Sequence, residues 1–251
     1  MKTFISQSAA MTGRFLRQLS RQPAFIFITL TQPMIWLLLF GSLFKGVMPS
    51  YLDYLTPGVV MMTALFSAGW SGMAAIEDMD AGVMDRFLVA PVSRSAMVTG
   101  ALAFQAISTS IQSIVIIGIG YAVGARFDGG VVGAAVLVGA AVLLAIAVAA
   151  LSNSLAMVTR NRETLIAAAS GIVLPLTFLS TVFLQQERIT AWIRDVARFN
   201  PVDWATKAGR LAVGADVPWG TVGSYAVFLA VAVALTGALA TRAFRAYQRS
   251  V

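Results

Sequence analysis

Six charged side chains crowd into residues 77–94: Glu77, Asp78, Asp80, Asp85, Arg86 and Arg94, with Pro91 closing the stretch. The chain has no His and no Cys, so composition excludes imidazole bases, Cys/His zinc sites, His-ligated haem and disulfides. Neither a G-x-x-x-x-G-K-[ST] loop nor a Walker-B acid after an apolar strand is present, so any ATP used must sit on another polypeptide. What these groups can do is pair with other charges, and four acids against two bases in 77–86 and 94 is the reverse of what a loop lying on anionic lipid carries.

The surroundings are apolar. Of 251 residues 58% are hydrophobic and 12% charged, with a mean hydropathy of +0.81, whereas a soluble domain carries about 25% charged residues. This is the composition of a membrane protein. The net charge of +7 comes from basic residues flanking apolar runs, which places them against anionic headgroups and gives no nucleic-acid role. A helix needs about 20 residues to cross about 30 Å of hydrocarbon, and six runs qualify: 24–43, 56–76, 101–124, 131–158, 164–184 and 221–242. The first is too long for a signal-peptide core and no A-x-A site follows it. With both termini inside, the inner segments hold Lys2, Arg14, Arg17, Arg21, Arg86, Arg94, Arg160, Arg162, Arg242, Arg245 and Arg249, the majority of the 18 Lys and Arg residues. The Lys/Arg bias therefore puts both termini in the cytoplasm. The expected fold is all-α, a single polytopic domain over 1–251.

Three connecting segments read as amphipathic. In 1–23, Phe4, Met11, Phe15 and Leu19 fall on one side of a helical wheel and Arg14, Arg17 and Arg21 on the other, as in an interfacial helix. In 77–100, Met79, Val83, Phe87 and Ala90 recur at helical spacing with Asp78, Asp85 and Arg86 turned away. A solvated loop accounts for those charges but leaves Val83, Phe87 and Leu88 uncovered, so the segment reads as a docking surface for another protein. In 185–220, Trp192, Ile193, Val196, Phe199, Trp204 and Leu211 alternate with charges, predicting short helices broken at Asn200-Pro201.

Polar residues inside the apolar runs are candidates for a pathway, because an unpaired polar group in hydrocarbon is costly. They are Gln105, Thr109 and Gln112 with Ser108 in the third run, and Thr177 and Thr181 with Ser180 beyond Pro175 in the fifth. Met62, Phe66, Trp70 and Met73 in the second run offer a flexible wall for a bulky amphipathic molecule. Helix packing accounts for the same residues, and the sequence leaves both roles open. Gly120 and Gly124 form a G-x-x-x-G, read as close packing of the third and fourth runs.

The run "PGVVMMTALFSAGWSGMAAIEDMDAGVMDRFLVAPVSRSAMVTG" (57–100) resembles the signature of ABC-2 family ABC transporter permeases. "LTQPMIWLLLFGSLF" (30–44), "RNRE" (160–163) and "FNPVDWATKAGRLAVG" (199–214) agree with it. Within the family the chain resembles the daunorubicin-type drug-resistance exporters. The resemblance implies a four-part, type V-like exporter: this chain and a second, identical or homologous permease subunit, with two copies of an ABC ATPase that carry ATP and Mg. It implies a coupling helix in the 77–94 stretch, formed by Glu77, Asp78, Val83, Asp85, Arg86, Phe87, Leu88, Pro91 and Arg94, and short external helices before the last span. It implies a cell-membrane location and a hydrophobic or amphipathic substrate such as a drug, lipid or lipid-linked glycan. No run holds a clearly central charge, which weakens the alternative of a secondary transporter. A membrane assembly protein that moves nothing is the other alternative.

Overall fold

The structure, a computed structural model, describes residues 2–21, 23–44, 50–83, 94–183 and 190–249. It is all-helical, with no strand among the described residues. In chain order the helices are α1 (Lys2–Ser20), α2 (Pro23–Phe44), α3 (Tyr51–Gly69), α4 (Met73–Asp80), α5 (Arg94–Val123), α6 (Gly130–Thr159), α7 (Arg162–Phe178), α8 (Ala191–Ala197), α9 (Pro201–Val213) and α10 (Trp219–Arg249). Among the described residues, four stretches are long and apolar enough to cross a membrane: Tyr51–Asp80, Ala96–Val123, Gly130–Thr159 and Trp219–Phe244. Thr29–Phe44 is a shorter apolar helix.

α6 is the hub, touching α3, α4, α5, α7, α9 and α10. Its sequence explains this: alanines and glycines spread round the helix let several neighbours approach closely, which is how helices associate where lipid leaves no hydrophobic drive between them. The main core joins Leu55, Val59, Met61 and Leu65 of α3 to Leu137 and Leu144 of α6 and to Val202, Ala205 and Ala208 of α9. A smaller cluster, Ile76, Met157, Leu165 and Phe244, ties α4, α6, α7 and α10 together at the end of the bundle that carries both termini.

The G-x-x-x-G reading is corrected by the fold. A Cβ on Gly120 would lie 2.8 Å from Thr56 Cγ2 of α3, so this glycine serves the α3 contact rather than α6. Gly124 has φ 115° with nothing near its missing Cβ, and the amides of Gly124 and Ala125 both donate to the Gly120 carbonyl. It is a left-handed stop for α5, a conformation that glycine adopts without strain.

Candidate functional site

At the termini end, helix α4 finishes in Glu77, Asp78 and Asp80, and two of these acids are used inside the chain. Asp78 pairs with Arg14 of α1, whose guanidinium also lies 4.8 Å from the Phe15 ring centroid. Asp80 takes Nη2 (2.9 Å) and Nε (3.0 Å) of Arg162, at the start of α7. The segment 160–163 supplies that arginine from a two-residue joint. Arg160 ends α6 in the left-handed region with φ 51°, and Asn161 caps α7 by accepting the Thr164 amide at 2.9 Å. Glu163 follows in the first turn, where helix-terminal amides favour an acid. Thus the helix leading into residues 84–93 is tied to α1 on one side and to α7 on the other.

Above α4 the long apolar stretch is broken at Trp70–Gly72, where Asn153 of α6 donates to the Ser71 hydroxyl at 3.0 Å and one residue meets the backbone of both flanking glycines. The hydroxyl of Ser152, on α6, donates to the Gly69 carbonyl at 2.6 Å and accepts the Gly72 amide at 3.0 Å. A helix end in hydrocarbon must have its backbone groups satisfied, and a hydroxyl can do both jobs at once. The contact is so close that a Cβ on Gly72 would sit 2.5 Å from the Ser152 carbonyl oxygen.

Beside this break lies a cavity of about 670 Å³ between α1, the α3–α4 joint, α5, α6 and α10. It brings together Arg14, Trp70, Met73, Glu77, Asp78, Gln105 and Gln112 from the sequence candidates. Gln105 Nε2 donates to Ser67 Oγ and to Thr109 Oγ1, both at 3.1 Å, so Thr109 holds its neighbour rather than lining the space. Gln112 is 6% exposed and its Oε1 has no hydrogen-bond partner.

The remaining candidates are elsewhere. Met62 is buried in the main core and Phe66 packs half-buried against it. Thr177 donates to the Val173 carbonyl of its own helix at 2.8 Å. Val83 is half-buried just beyond α4, Arg17 and Arg21 are exposed, and Arg94 opens α5. Asp85, Arg86, Phe87, Leu88 and Pro91 lie outside the described residues.

Thr181 belongs to a polar network at the far end of the bundle. The fifth apolar run extends to 184, but its helix stops at Phe178, three residues after Pro175. The backbone beyond it is satisfied by side chains of α9. Asn200 Nδ2 donates to the carbonyls of Leu176 (2.7 Å) and Leu179 (2.8 Å), while its Oδ1 accepts the Val202 amide and caps α9. Asp203, fully buried, accepts both the amide and the hydroxyl of Thr181 through Oδ1, at 3.0 and 2.6 Å. Lys207 Nζ lies 2.8 Å from Oδ2, as an ion pair without hydrogen-bond alignment.

Arg210 donates to the carbonyls of Thr181 (2.6 Å), Val182 (2.7 Å) and Tyr54 (3.1 Å) and to the Tyr54 hydroxyl (2.8 Å). Its guanidinium lies 3.4 Å from the Tyr54 ring centroid. Burial pulls that guanidinium down to about 10, with Tyr54, Asp203 and Tyr51 acting the other way, so it stays cationic at neutral pH. Sequence reasoning gives Asn200 a helix break and meets Arg210 only inside the family-like run 199–214, with no role of its own. The signal it passed over is the spacing 200, 203, 207, 210, one polar stripe along a helix. Trp192 is exposed on α8, whereas Trp204 packs on Phe228 at 5.5 Å and donates Nε1 to the Arg198 carbonyl at 2.7 Å.

The model of the ABC-2 type transporter family matches residues 6–214. The chain is similar to the daunorubicin resistance ABC transporter permease protein DrrB1 of Streptomyces coeruleorubidus, 24% identical over 252 residues that cover 98% of this chain and 87% of that one. It is 28% identical over 212 residues to the putative transport permease ycf38 of Cyanophora paradoxa, covering 80% and 72% of the two chains. It is 23% identical over 223 residues to the probable doxorubicin resistance ABC transporter permease protein DrrC of Mycobacterium tuberculosis, covering 86% and 80%. The matched span runs from within α1 to the end of α9, taking in the tethered acids, the sealed break and the far-end network, and the chain belongs to the ABC-2 type transporter family as a membrane permease of an ABC transporter.

Proposed function

We propose that the chain is one of two permease subunits, identical or homologous, of an ATP-driven exporter in the cell membrane, working with two copies of a separate ATPase that binds ATP and Mg. ABC-2 permeases work with an ABC ATPase partner. In this reading the spans are α2, α3 with α4, α5, α6, α7 and α10, with both termini cytoplasmic. Residues 84–93 dock on the ATPase. The substrate is a hydrophobic or amphipathic drug, lipid or lipid-linked glycan, in keeping with the resistance named in two relatives.

The observation that carries the reading is the double tether of α4. Asp78 and Asp80, a few residues before the docking stretch, are ion-paired to α1 and α7, so a push delivered at 84–93 reaches three elements together. Phe87 is the anchor in this reading, and truncating a buried aromatic anchor typically costs more than about 2 kcal/mol of binding. The test compares membrane level with ATPase pull-down. Phe87→Ala keeps the level and loses the pull-down or uncouples hydrolysis from transport. Arg86→Ala weakens coupling with a steeper salt dependence, as a rim charge does. Unchanged pull-down and transport in Phe87→Ala would overturn the docking role.

A further inference from the structure

The amide side chains inside the spans are covered, with one exception among the described residues. Gln105 and Gln112 of α5 are buried and Asn153 of α6 is half-buried, whereas Gln32 of α2 is exposed. α2 runs Pro23–Phe44, so at about 1.5 Å per residue Gln32 lies about 14 Å from one end and about 18 Å from the other, near the middle of the hydrocarbon. It does not line the cavity beside the helix break, and its side chain makes no hydrogen bond to a described residue. Two N–H donors and a carbonyl thus face a layer that satisfies none of them. The residues on the same face form a seam: Gln32, Ile35, Leu39 and Ser42 are all exposed and succeed one another at intervals of 3, 4 and 3, the spacing at which two parallel helices interlock. The Ser42 hydroxyl is satisfied by the Leu38 carbonyl of its own helix, so Gln32 is the polar group of the seam that needs a partner. The opposite side of α2 is fixed to the bundle. Leu37 and Gly41 are buried, and the Trp36 and Phe40 rings stack at 5.1 Å, with Phe183 5.5 and 5.8 Å from them.

We propose that the Gln32 face of α2 meets the same face of a second copy of this chain. The inference rests on the two-subunit exporter reading and adds to it the contact surface. Two like subunits with one orientation in a bilayer are related by a two-fold axis along its normal, and a residue on that axis meets its own copy. An amide is donor and acceptor at once, so Gln32 and its copy satisfy each other through reciprocal hydrogen bonds, where a carboxylate or an ammonium would repel itself. One polar residue in an otherwise apolar seam also fixes the register of the pair. α5 and α10 have open faces too, with Ile114 and Leu235 on them, but those side chains are apolar and lipid alone covers them.

The test uses the full chain in its own membranes without nucleotide. The sequence contains no cysteine, so Gln32→Cys, Ile35→Cys and Leu39→Cys each carry a single thiol. Mild oxidation should link each of them into a dimer, while Ile114→Cys and Leu235→Cys stay monomeric. In vesicles, dissociation followed by energy transfer between tagged copies should be about tenfold more favourable for Gln32→Leu, the effect of losing two interhelical hydrogen bonds. Gln32→Asn, which keeps an amide, should restore most of the association. Leucine suits a lipid-facing position, so the melting temperature of the Gln32→Leu monomer should match that of the wild type. Native mass spectrometry counts the copies and separates the possible failures. Two copies with no link through α2 would overturn the seam and leave the two-subunit reading standing. One copy beside a homologous permease would overturn the self-pairing alone. Reaction of Gln32→Cys with a water-soluble maleimide in place of dimer formation, or equal linking at Ile114→Cys and Leu235→Cys, would also overturn the proposal.

Discussion

Replacing Arg210 should be among the most damaging single changes in this chain, although it lies in a segment between spans. Its guanidinium supplies hydrogen bonds to three backbone carbonyls and one hydroxyl. In Arg210→Met the Val182 carbonyl loses its donor, while the Thr181 carbonyl keeps the Tyr54 hydroxyl at 2.9 Å. Hydrogen bonds from charged groups contribute about 1.5–3 kcal/mol each and are not additive, so losing two strong ones gives a cost of about 3–5 kcal/mol. Arg210→Lys retains the charge but not the planar fork, and should cost about half as much. For a chain of this size about 2–4 °C of Tm accompanies each kcal/mol, so Arg210→Met should melt about 10 °C lower in detergent, followed by fluorescence-detected size exclusion. Arg198→Met is the control: its pairing with Asp195 is 3.7 Å long and 68% and 67% exposed, a geometry that contributes little. If Arg210→Met melts with the wild type, or no lower than Arg198→Met, the far-end network does not hold the backbone after α7 in place.

Ser152→Ala removes the hydroxyl that serves both Gly69 and Gly72. It should lower stability by about 1–3 kcal/mol, read by the same melting assay, with Ser154→Ala, whose hydroxyl only back-bonds to Ala150 within its own helix, showing little change. A double-mutant cycle on Arg14→Ala and Asp78→Ala should give a coupling of about 1 kcal/mol that shrinks with salt, because that pair is partly shielded, whereas Arg162 with Asp80 should give less than about 0.5 kcal/mol. A reporter fused after Val251 should be cytoplasmic and one inserted near Asp216 outside; both on one side would sink the six-span arrangement.

Helix class and membrane character were legible because hydrocarbon imposes a length and a composition on whatever crosses it, and both are local properties of the chain. The arc of Phe4, Met11, Phe15 and Leu19 was readable for the same reason: a period of 3.6 is written in adjacent residues. Arg210 was not legible as more than a cation, since Tyr54 is 156 positions away and the other acceptors are backbone carbonyls that no side-chain pattern reports. The break at Trp70–Gly72 was equally hidden. It contains no proline, and the residue that makes it tolerable, Ser152, is supplied by α6. Arg14, read on the polar side with the exposed Arg17 and Arg21, instead shares a cavity with Met11, Phe15 and Leu19, because the packing of α1 on α5, where the Thr12 hydroxyl donates to the Gly100 carbonyl at 3.3 Å, brings it to Asp78.

The Ser152 seal also fixes the register of the central helix. If α6 slid along its axis by one turn, the residue facing the break would be Val148 or Ala149 in one direction and Leu155 or Ala156 in the other. None of these side chains can donate to Gly69 or accept from Gly72, so the slide would strand two backbone groups where no water replaces them. The seal therefore opposes a piston-like slide of α6 past α3.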